Sequence, residues 1–340
     1  MITPSPKSRQ ARPWQHALRD AFSRPAELLA YLQIDPALPS LEPGLLGPNQ
    51  TDFPLRVPRG FAARMQKGNP ADPLFLQVWP AGAEALSVEG FGLDAVGDQD
   101  RLKPGGIVHK YQGRVLVMTT GACGVHCRYC FRRHFPYAEA LAARDHWREA
   151  LAQISADASI SEVILSGGDP LSLSDEKLGE FIDGLDLIPH VRRLRLHSRQ
   201  PIVLPERVDE GLLELLRRSR LDTVLVLHAN HAQELDRSVA EACARLREAG
   251  VVLLNQSVLL RRINDDVDTL QALSERLFEC GVLPYYLHLL DRVAGSAHFE
   301  VDEPRACALM RELSTRLPGY LMPRLARETA GAPAKQVIAW

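Results

Sequence analysis

Cys123-Gly-Val-His-Cys127-Arg-Tyr-Cys130-Phe-Arg132-Arg133 sets three thiols at C-x-x-x-C-x-x-C spacing, directly after the apolar run Val115-Leu-Val-Met118. An apolar run that breaks into such a loop reads as a strand delivering cysteines to its own end. Three sulfurs on one short loop suit an iron-sulfur cube, whose full protein complement is four. The fourth iron then stays open to bind and reduce a ligand, so the loop reads as a reactive cluster rather than a wire for electrons. A structural zinc knuckle is the alternative, with His126 or His134 nearby as a further ligand. Zinc ribbons pair two C-x-x-C knuckles, however, and His126 lies inside the loop itself; the strand-then-loop setting and Tyr129 favour the cluster.

From Lys110 onward, short β-branched or Leu-rich runs alternate with longer amphipathic ones. The pattern predicts strands near 115–118, 162–165, 191–196, 223–227, 251–254 and 284–289. Helices are expected near 138–154, 174–186, 207–219, 238–249, 268–280 and 302–316. Ser174 has the hydroxyl of an N-cap, Gly250 and Gly281 stand just past helix ends, and Pro304 suits a first turn. Cys243, Cys280 and Cys307 fall on these helices as small packing residues, not as a disulfide framework. Six βα units imply parallel strands with right-handed crossovers, in a partial barrel or a doubly wound sheet.

The residues after each strand favour the barrel. The sequence offers the cysteine loop, Ser166-Gly-Gly-Asp169-Pro170, His197-Ser-Arg199-Gln-Pro201, His228-Ala-Asn-His231, Asn255-Gln256-Ser257 and Asp291-Arg292. A barrel gathers its site from every strand's C-terminal end, whereas a doubly wound sheet uses mainly its switch point. The expected fold is α/β: a partial (βα)6 TIM-like barrel over 109–317, an N-terminal appendage over 1–108 that is mostly helical or irregular, and a short C-terminal segment over 318–340. In the appendage, a helical pattern covers Trp14 to Leu32 and a turn-laden segment runs from Pro36 to Pro80. Phe53-Pro-Leu-Arg-Val-Pro-Arg-Gly-Phe61 is too proline-broken for regular structure and suits a cap, a lid or a subunit contact.

Composition excludes several classes. Of 340 residues, 46% are hydrophobic and 24% charged, which is ordinary for a globular protein and unlike a disordered one. A formal net charge of −2 lacks the positive field of a general nucleic-acid binder, and the clusters Arg192-Arg193-Leu-Arg195 and Arg217-Arg218-Ser-Arg220 read as solvated faces. Met1 to Asp20 has no apolar core of a secretory signal, and no run is long enough to cross a bilayer, so a cytoplasmic protein is expected.

The cysteine spacing and the six βα units resemble the radical S-adenosylmethionine superfamily, in which the sulfonium cofactor chelates the open iron. Leu165-Ser-Gly-Gly-Asp169-Pro170 resembles the element that receives the cofactor's amino group there, which places Gly167, Gly168 and Asp169 at S-adenosylmethionine. Glycine lets backbone carbonyls come close to an ammonium. Within the superfamily, Gly113-Arg114-Val-Leu-Val, Cys127-Arg-Tyr-Cys130-Phe-Arg132-Arg133, Asn255-Gln-Ser-Val-Leu-Leu260, Tyr285-Tyr-Leu-His-Leu-Leu-Asp291 and Gly319-Tyr-Leu-Met-Pro323 are similar to lysine 2,3-aminomutases. The short tail and Arg327-Glu328-Thr-Ala-Gly-Ala-Pro-Ala-Lys335 look most like the branch that makes (R)-β-lysine for elongation factor P.

The resemblance implies a [4Fe-4S] cluster on Cys123, Cys127 and Cys130, S-adenosylmethionine, and pyridoxal 5'-phosphate held by Lys335 as a Schiff base. It assigns Arg114 to the phosphate, Gln256 to a position facing the cofactors, Arg132 to the carboxylate of L-lysine, and Asp291 and Glu328 to its distal ammonium. His228, His231 and His288 are either cavity or core histidines. A reductant such as flavodoxin or ferredoxin, and a link to elongation factor P and its lysyl ligase, are implied by the same resemblance. Three positions depart from the pattern: Glu328 where relatives commonly carry Asp, Ala-Pro-Ala where some carry glycines before the lysine, and Asp266 where some carry a zinc-binding cysteine. Two other functions compete: an aminomutase for another amino acid such as glutamate, and a non-catalytic iron-sulfur or zinc redox sensor, which leaves Asp291, Glu328 and Lys335 unexplained.

Overall fold

The computed structural model describes residues 13–38, 53–137 and 147–340. Ten strands form one sheet in strict chain order. They are β1 Leu102–Lys103, β2 Ile107–Tyr111, β3 Arg114–Thr120, β4 Glu162–Gly167, β5 Arg193–Ser198, β6 Asp222–Leu227, β7 Val252–Val258, β8 Leu283–His288, β9 Arg324–Arg327 and β10 Gln336–Val337. Strands β3 to β9 are parallel, each paired with the next. Antiparallel β1, β2 and β10 extend the two edges. A doubly wound sheet reverses its order at a switch point; among the described residues this order never reverses and the sheet does not close. The fold is thus the open, barrel-like arrangement.

The six expected strands are β3 to β8, and the helices between them are Arg148–Ala156, Asp175–Asp186, Glu210–Arg218, Arg237–Glu248, Val267–Glu279 and Glu303–Ser314. The expected start of the first helix, 138–146, lies outside the described residues. Ser174 caps its helix by accepting from the Lys177 amide, and Gly250 and Gly281 take φ of 83° and 73° past their helices, as a left-handed stop requires. Asp266, where some relatives carry a cysteine, caps Val267–Glu279, its carboxylate accepting from the Thr269 amide at 2.9 Å. Apolar residues of β3 to β7, among them Val117, Leu165, Leu196 and Leu253, pack under the helices in the main core with Phe181 and Leu246. Cys243 and Cys280 are buried there, and Cys307 is half-buried.

Two expectations need correction. Asn255, Gln256 and Ser257 do not form a loop; they continue β7, because Gln256 and Ser257 still pair with Tyr286 and Leu287 of β8. The single helical pattern at Trp14–Leu32 is two helices, Pro13–Arg19 and Pro25–Leu32, since Pro25 lacks the N–H to continue a helix and starts the second one instead. These helices join Phe61, Phe75 and Trp79 in a second apolar cluster that reaches Val125 of the cysteine loop and Val203 after β5. The proline-broken stretch is a strap on that loop: Val57 pairs with Phe22, the His126 amide donates to Arg56 O at 3.1 Å, and Arg128 Nη1 donates to Phe53 O at 2.9 Å. No described helix is long and apolar enough to cross a membrane.

Candidate active site

A cavity of about 650 Å³ opens among the strand ends. Alternate residues of five strands dominate its lining: Arg114 and Leu116 from β3, Ile164 and Ser166 from β4, Arg195 and His197 from β5, Gln256 and Val258 from β7, Tyr286 and His288 from β8. The same cavity is lined by Cys123, Cys127, Cys130, Arg132, Gly167, Gly168, Asp169, Asp291, Glu328 and Lys335, so every site residue expected from sequence meets in one space.

Burial, and then the neighbouring Cys130, push the Cys123 thiol well up; burial and then Cys127 push Cys130 up to about 11. Burial thus favours the protonated thiol at both positions. Among the described residues, no three His, Cys, Asp or Glu side chains converge on the point where one ion would sit. Arg199, at the end of β5, donates from Nη1 to Cys127 Sγ at 2.7 Å.

The glycine-rich turn after β4 is built against this loop. Gly168 N donates to Thr120 O at 2.6 Å and Asp169 N to Ala122 O at 2.8 Å. A Cβ at Gly167 would fall 2.6 Å from Thr120 O, and one at Gly168 2.5 Å from Ala122 O. The glycines therefore let two stretches of the chain's own backbone touch, a reason distinct from the approach of an ammonium. Asp169 directs its carboxylate to the turn: Oδ1 accepts from Ser198 Oγ at 2.7 Å and the Leu171 amide at 3.0 Å, and Oδ2 from the Arg199 and Gln200 amides at 2.8 and 3.1 Å.

On the C-terminal segment, β9 and β10 form a hairpin in which Arg327 pairs with Gln336. Glu328 and Lys335, the next residues along, face each other with Oε2 3.7 Å from Nζ. Lys335 Nζ also lies 3.4 Å from His288 Nε2 and 4.9 Å from the Tyr286 ring centre. Burial lowers the pKa of Lys335, with Glu328 and Asp291 opposing. Asp291 is pushed up to about 7 by burial and then by Glu328, against the pull of Lys335. Arg114 lies beside the two-residue turn Gln112-Gly113, its guanidinium 4.9 Å from the Tyr111 ring centre, with no ion pair among the described residues. A half-buried amine, a cation with no carboxylate partner among the described residues, and a buried His197 Nε2 with no hydrogen-bond partner fit a phosphorylated aldehyde cofactor.

Several functional neighbours escaped the sequence reading. Asp98, 2% exposed, binds Arg132 Nε at 2.7 Å and Lys110 Nζ at 2.5 Å, and Lys110 Nζ continues to Glu328 Oε1 at 3.0 Å. Burial acts to raise the Asp98 pKa, but Arg132 and Lys110 outweigh it and hold the carboxyl below its usual range. Arg132 also donates from Nη1 to Ser166 Oγ at 2.8 Å. Nothing in the Gly- and Asp-rich stretch around Asp98 marks it out. Of the three histidines singled out, His228 and His288 line the cavity, while His231 caps the turn at Ala232–Glu234. His228 bonds the Tyr129 hydroxyl at 3.0 Å, and burial followed by Arg199 lowers its pKa to about 3, so it is neutral.

Residues 117–273 match the Radical SAM superfamily. The chain is 48% identical over 324 residues to the L-lysine 2,3-aminomutase of Escherichia coli, covering 95% of this chain and 93% of that one. It is 44% identical to the L-lysine 2,3-aminomutase of Haemophilus influenzae over 100% of this chain and 99% of that one. With the L-lysine 2,3-aminomutase of Clostridium subterminale it shares 32% identity over 82% of this chain, but only 67% of the longer protein.

Proposed function

The chain belongs to the lysine 2,3-aminomutase family of radical S-adenosylmethionine enzymes, and from that premise we propose that it converts L-lysine to (R)-β-lysine, moving the amino group from C2 to C3. Membership implies a [4Fe-4S] cluster, S-adenosylmethionine and pyridoxal phosphate. When bound, these supply hydrogen-atom abstraction from the substrate carbon chain and a conjugated carrier for the migrating nitrogen.

The chain's own residues bind, orient and exclude water. Cys123, Cys127 and Cys130 hold the cluster, the turn at Gly167, Gly168 and Asp169 forms the S-adenosylmethionine seat, Lys335 carries pyridoxal phosphate, Arg114 takes its phosphate, and Gln256 faces the cofactors. Arg132 grips the substrate carboxylate from an orientation fixed by Asp98 and Ser166. Asp291 and Glu328 receive the distal ammonium; in the structure Lys110 engages Glu328 Oε1 and Lys335 faces its Oε2. Two acids here would repel the side chain of glutamate, which disfavours that substrate.

The observation that carries the reading is that three cysteines, a half-buried lysine and the Asp291/Glu328 pair line one cavity. A redox sensor needs only the first of these. The product's proposed destination is elongation factor P in the cytoplasm, through a lysyl ligase, with flavodoxin or ferredoxin as the electron source. The test is anaerobic reconstitution with iron, sulfide and pyridoxal phosphate, then incubation with lysine, S-adenosylmethionine and dithionite. β-Lysine should accumulate beyond the amount of S-adenosylmethionine added; conversion of glutamate instead, or no conversion by iron-loaded protein, overturns the proposal. Loss of β-lysylated elongation factor P from cells lacking the chain tests the destination.

A further inference from the structure

Arg199 stands outside the substrate end of the cavity, yet its two terminal guanidinium nitrogens make four hydrogen bonds in the protein's interior. Nη1 donates to Cys127 Sγ at 2.7 Å and to the Tyr129 hydroxyl at 2.6 Å; Nη2 donates to Gln77 Oε1 at 2.6 Å and Glu234 Oε2 at 2.9 Å. Its backbone N–H is held by Asp169 Oδ2, so the residue cannot drift from the cysteine loop without breaking the glycine-rich turn. Glu234, 0% exposed, is itself fixed by the Asn230 and His231 amides and Gln77 Nε2. A fork held at this many points is aimed, and one of its N–H groups is aimed at sulfur.

We propose that Arg199 is a positioning residue that sets the reduction potential of the iron-sulfur cluster, through its hydrogen bond and positive charge at the Cys127 sulfur; the inference rests on the assignment of Cys123, Cys127 and Cys130 as cluster ligands. Hydrogen bonds to cluster sulfurs and nearby net charge are among the main controls of cluster potential. Reduction adds one electron from an external low-potential donor to the cluster. No protein bond forms or breaks, and the guanidinium keeps its proton. The added negative charge is stabilised by the cation beside it, so Arg199 raises the potential and eases electron entry. Glu234 offsets part of that effect through the other side of the fork.

The test uses the full chain reconstituted with iron and sulfide, with iron content measured chemically and the midpoint potential by a redox titration followed by electron paramagnetic resonance; no lysine is needed. Arg199→Gln should bind iron as wild type does and titrate at a lower potential. Arg199→Lys, which keeps the charge, should stay closer to wild type. Glu234→Gln should move the other way, to a higher potential. An unchanged midpoint in iron-replete Arg199→Gln overturns the inference, as do shifts of the same sign in Arg199→Gln and Glu234→Gln, which mark a merely structural role. If Arg199→Gln fails to assemble a cluster, Glu234→Gln decides alone: a raised midpoint supports the proposal and an unchanged one sinks it. A wild-type chain that takes up no iron instead overturns the cluster assignment itself.

Discussion

Glu328 Oε2 lies 3.7 Å from Lys335 Nζ because the two residues extend the hairpin ladder one step beyond the Arg327–Gln336 pair. The ladder carries Lys335 from a position five residues before the end of the sequence into the cavity, where β9 is itself anchored on β8. Burial favours the neutral amine, the form that attacks an aldehyde, while Glu328 and Asp291 restrain the shift.

Substituting Lys335 with Ala should abolish borohydride-fixable attachment of pyridoxal phosphate to the chain and leave iron content and its spectrum intact. Peptide mass mapping after reduction checks the attachment point. Attachment surviving in the variant would move the role to another lysine, for which Lys110 is the nearest candidate in the cavity.

Asp291 makes lysine binding pH-dependent. Its pKa, raised to about 7, means that the carboxylate needed for an ammonium is present above that value and protonated below it. Apparent affinity for lysine should fall by up to about tenfold per pH unit as pH drops below about 7, and Asp291→Asn should bind weakly with no such slope. The stability effect has the opposite sense. A carboxyl whose folded-state pKa is raised contributes stability that is complete below its unfolded value and is lost as pH rises through about 7. Asp291→Asn should therefore melt higher than wild type at about pH 8 and show a smaller advantage in acid; a variant that melts lower at both would refute the assignment.

Arg132→Ala removes the proposed carboxylate grip without touching a thiol. Lysine kcat/KM should fall by about ten- to a hundredfold, the range for charge-assisted hydrogen bonds of about 1.5–3 kcal/mol, while iron per chain stays at the wild-type level. Equal loss of iron and activity would reduce Arg132 to a structural residue.

The βα alternation was legible because β3 to β7 bury apolar residues in the main core and β8 adds Leu287 to a third cluster, so these strands stand out as apolar runs. The edge strands were not: β1 and β10 have two residues each, and β9 is a four-residue segment with only Leu325 and Ala326 buried. Their pairing is decided by neighbours in space, not by a local period. The same limit explains the site. The cysteine spacing and the Gly-Gly turn are local signals, whereas Asp98 reaches Arg132 across 34 positions and Lys110 reaches Glu328 across 218. Gln77, Tyr129, Asn230 and Glu234 meet around Arg199 in the same way, from separate elements.

Asp98→Ala leaves Arg132 and Lys110 without their shared carboxylate in a largely dry site. Breaking a buried pair from one side costs about 3–5 kcal/mol, so urea unfolding should show a loss of that order, and KM for lysine should rise as Arg132 loses its orientation. Removing the second charge as well, in Asp98→Ala with Lys110→Met, should recover part of the stability. A single variant as stable as wild type would show that the bridge is replaced by solvent.

Gly168→Ala tests whether the cysteine loop and the glycine-rich turn form one unit. The new Cβ would stand 2.5 Å from Ala122 O and 2.8 Å from Gly121 C, both backbone atoms, so no side chain can swing away to make room. The turn must lift, and the bonds from Gly168 N to Thr120 O and from Asp169 N to Ala122 O open with it. Because these bonds hold the strand end that delivers Cys123, iron retained after reconstitution should fall clearly below wild type. The thermal midpoint should drop as expected for overpacking of about 1–3 kcal/mol, with the far-ultraviolet circular dichroism of the barrel preserved. Gly319→Ala, where an added Cβ meets nothing within 4 Å, is the control and should leave both readouts unchanged. Wild-type iron content in Gly168→Ala would show that the cluster loop folds independently of the turn.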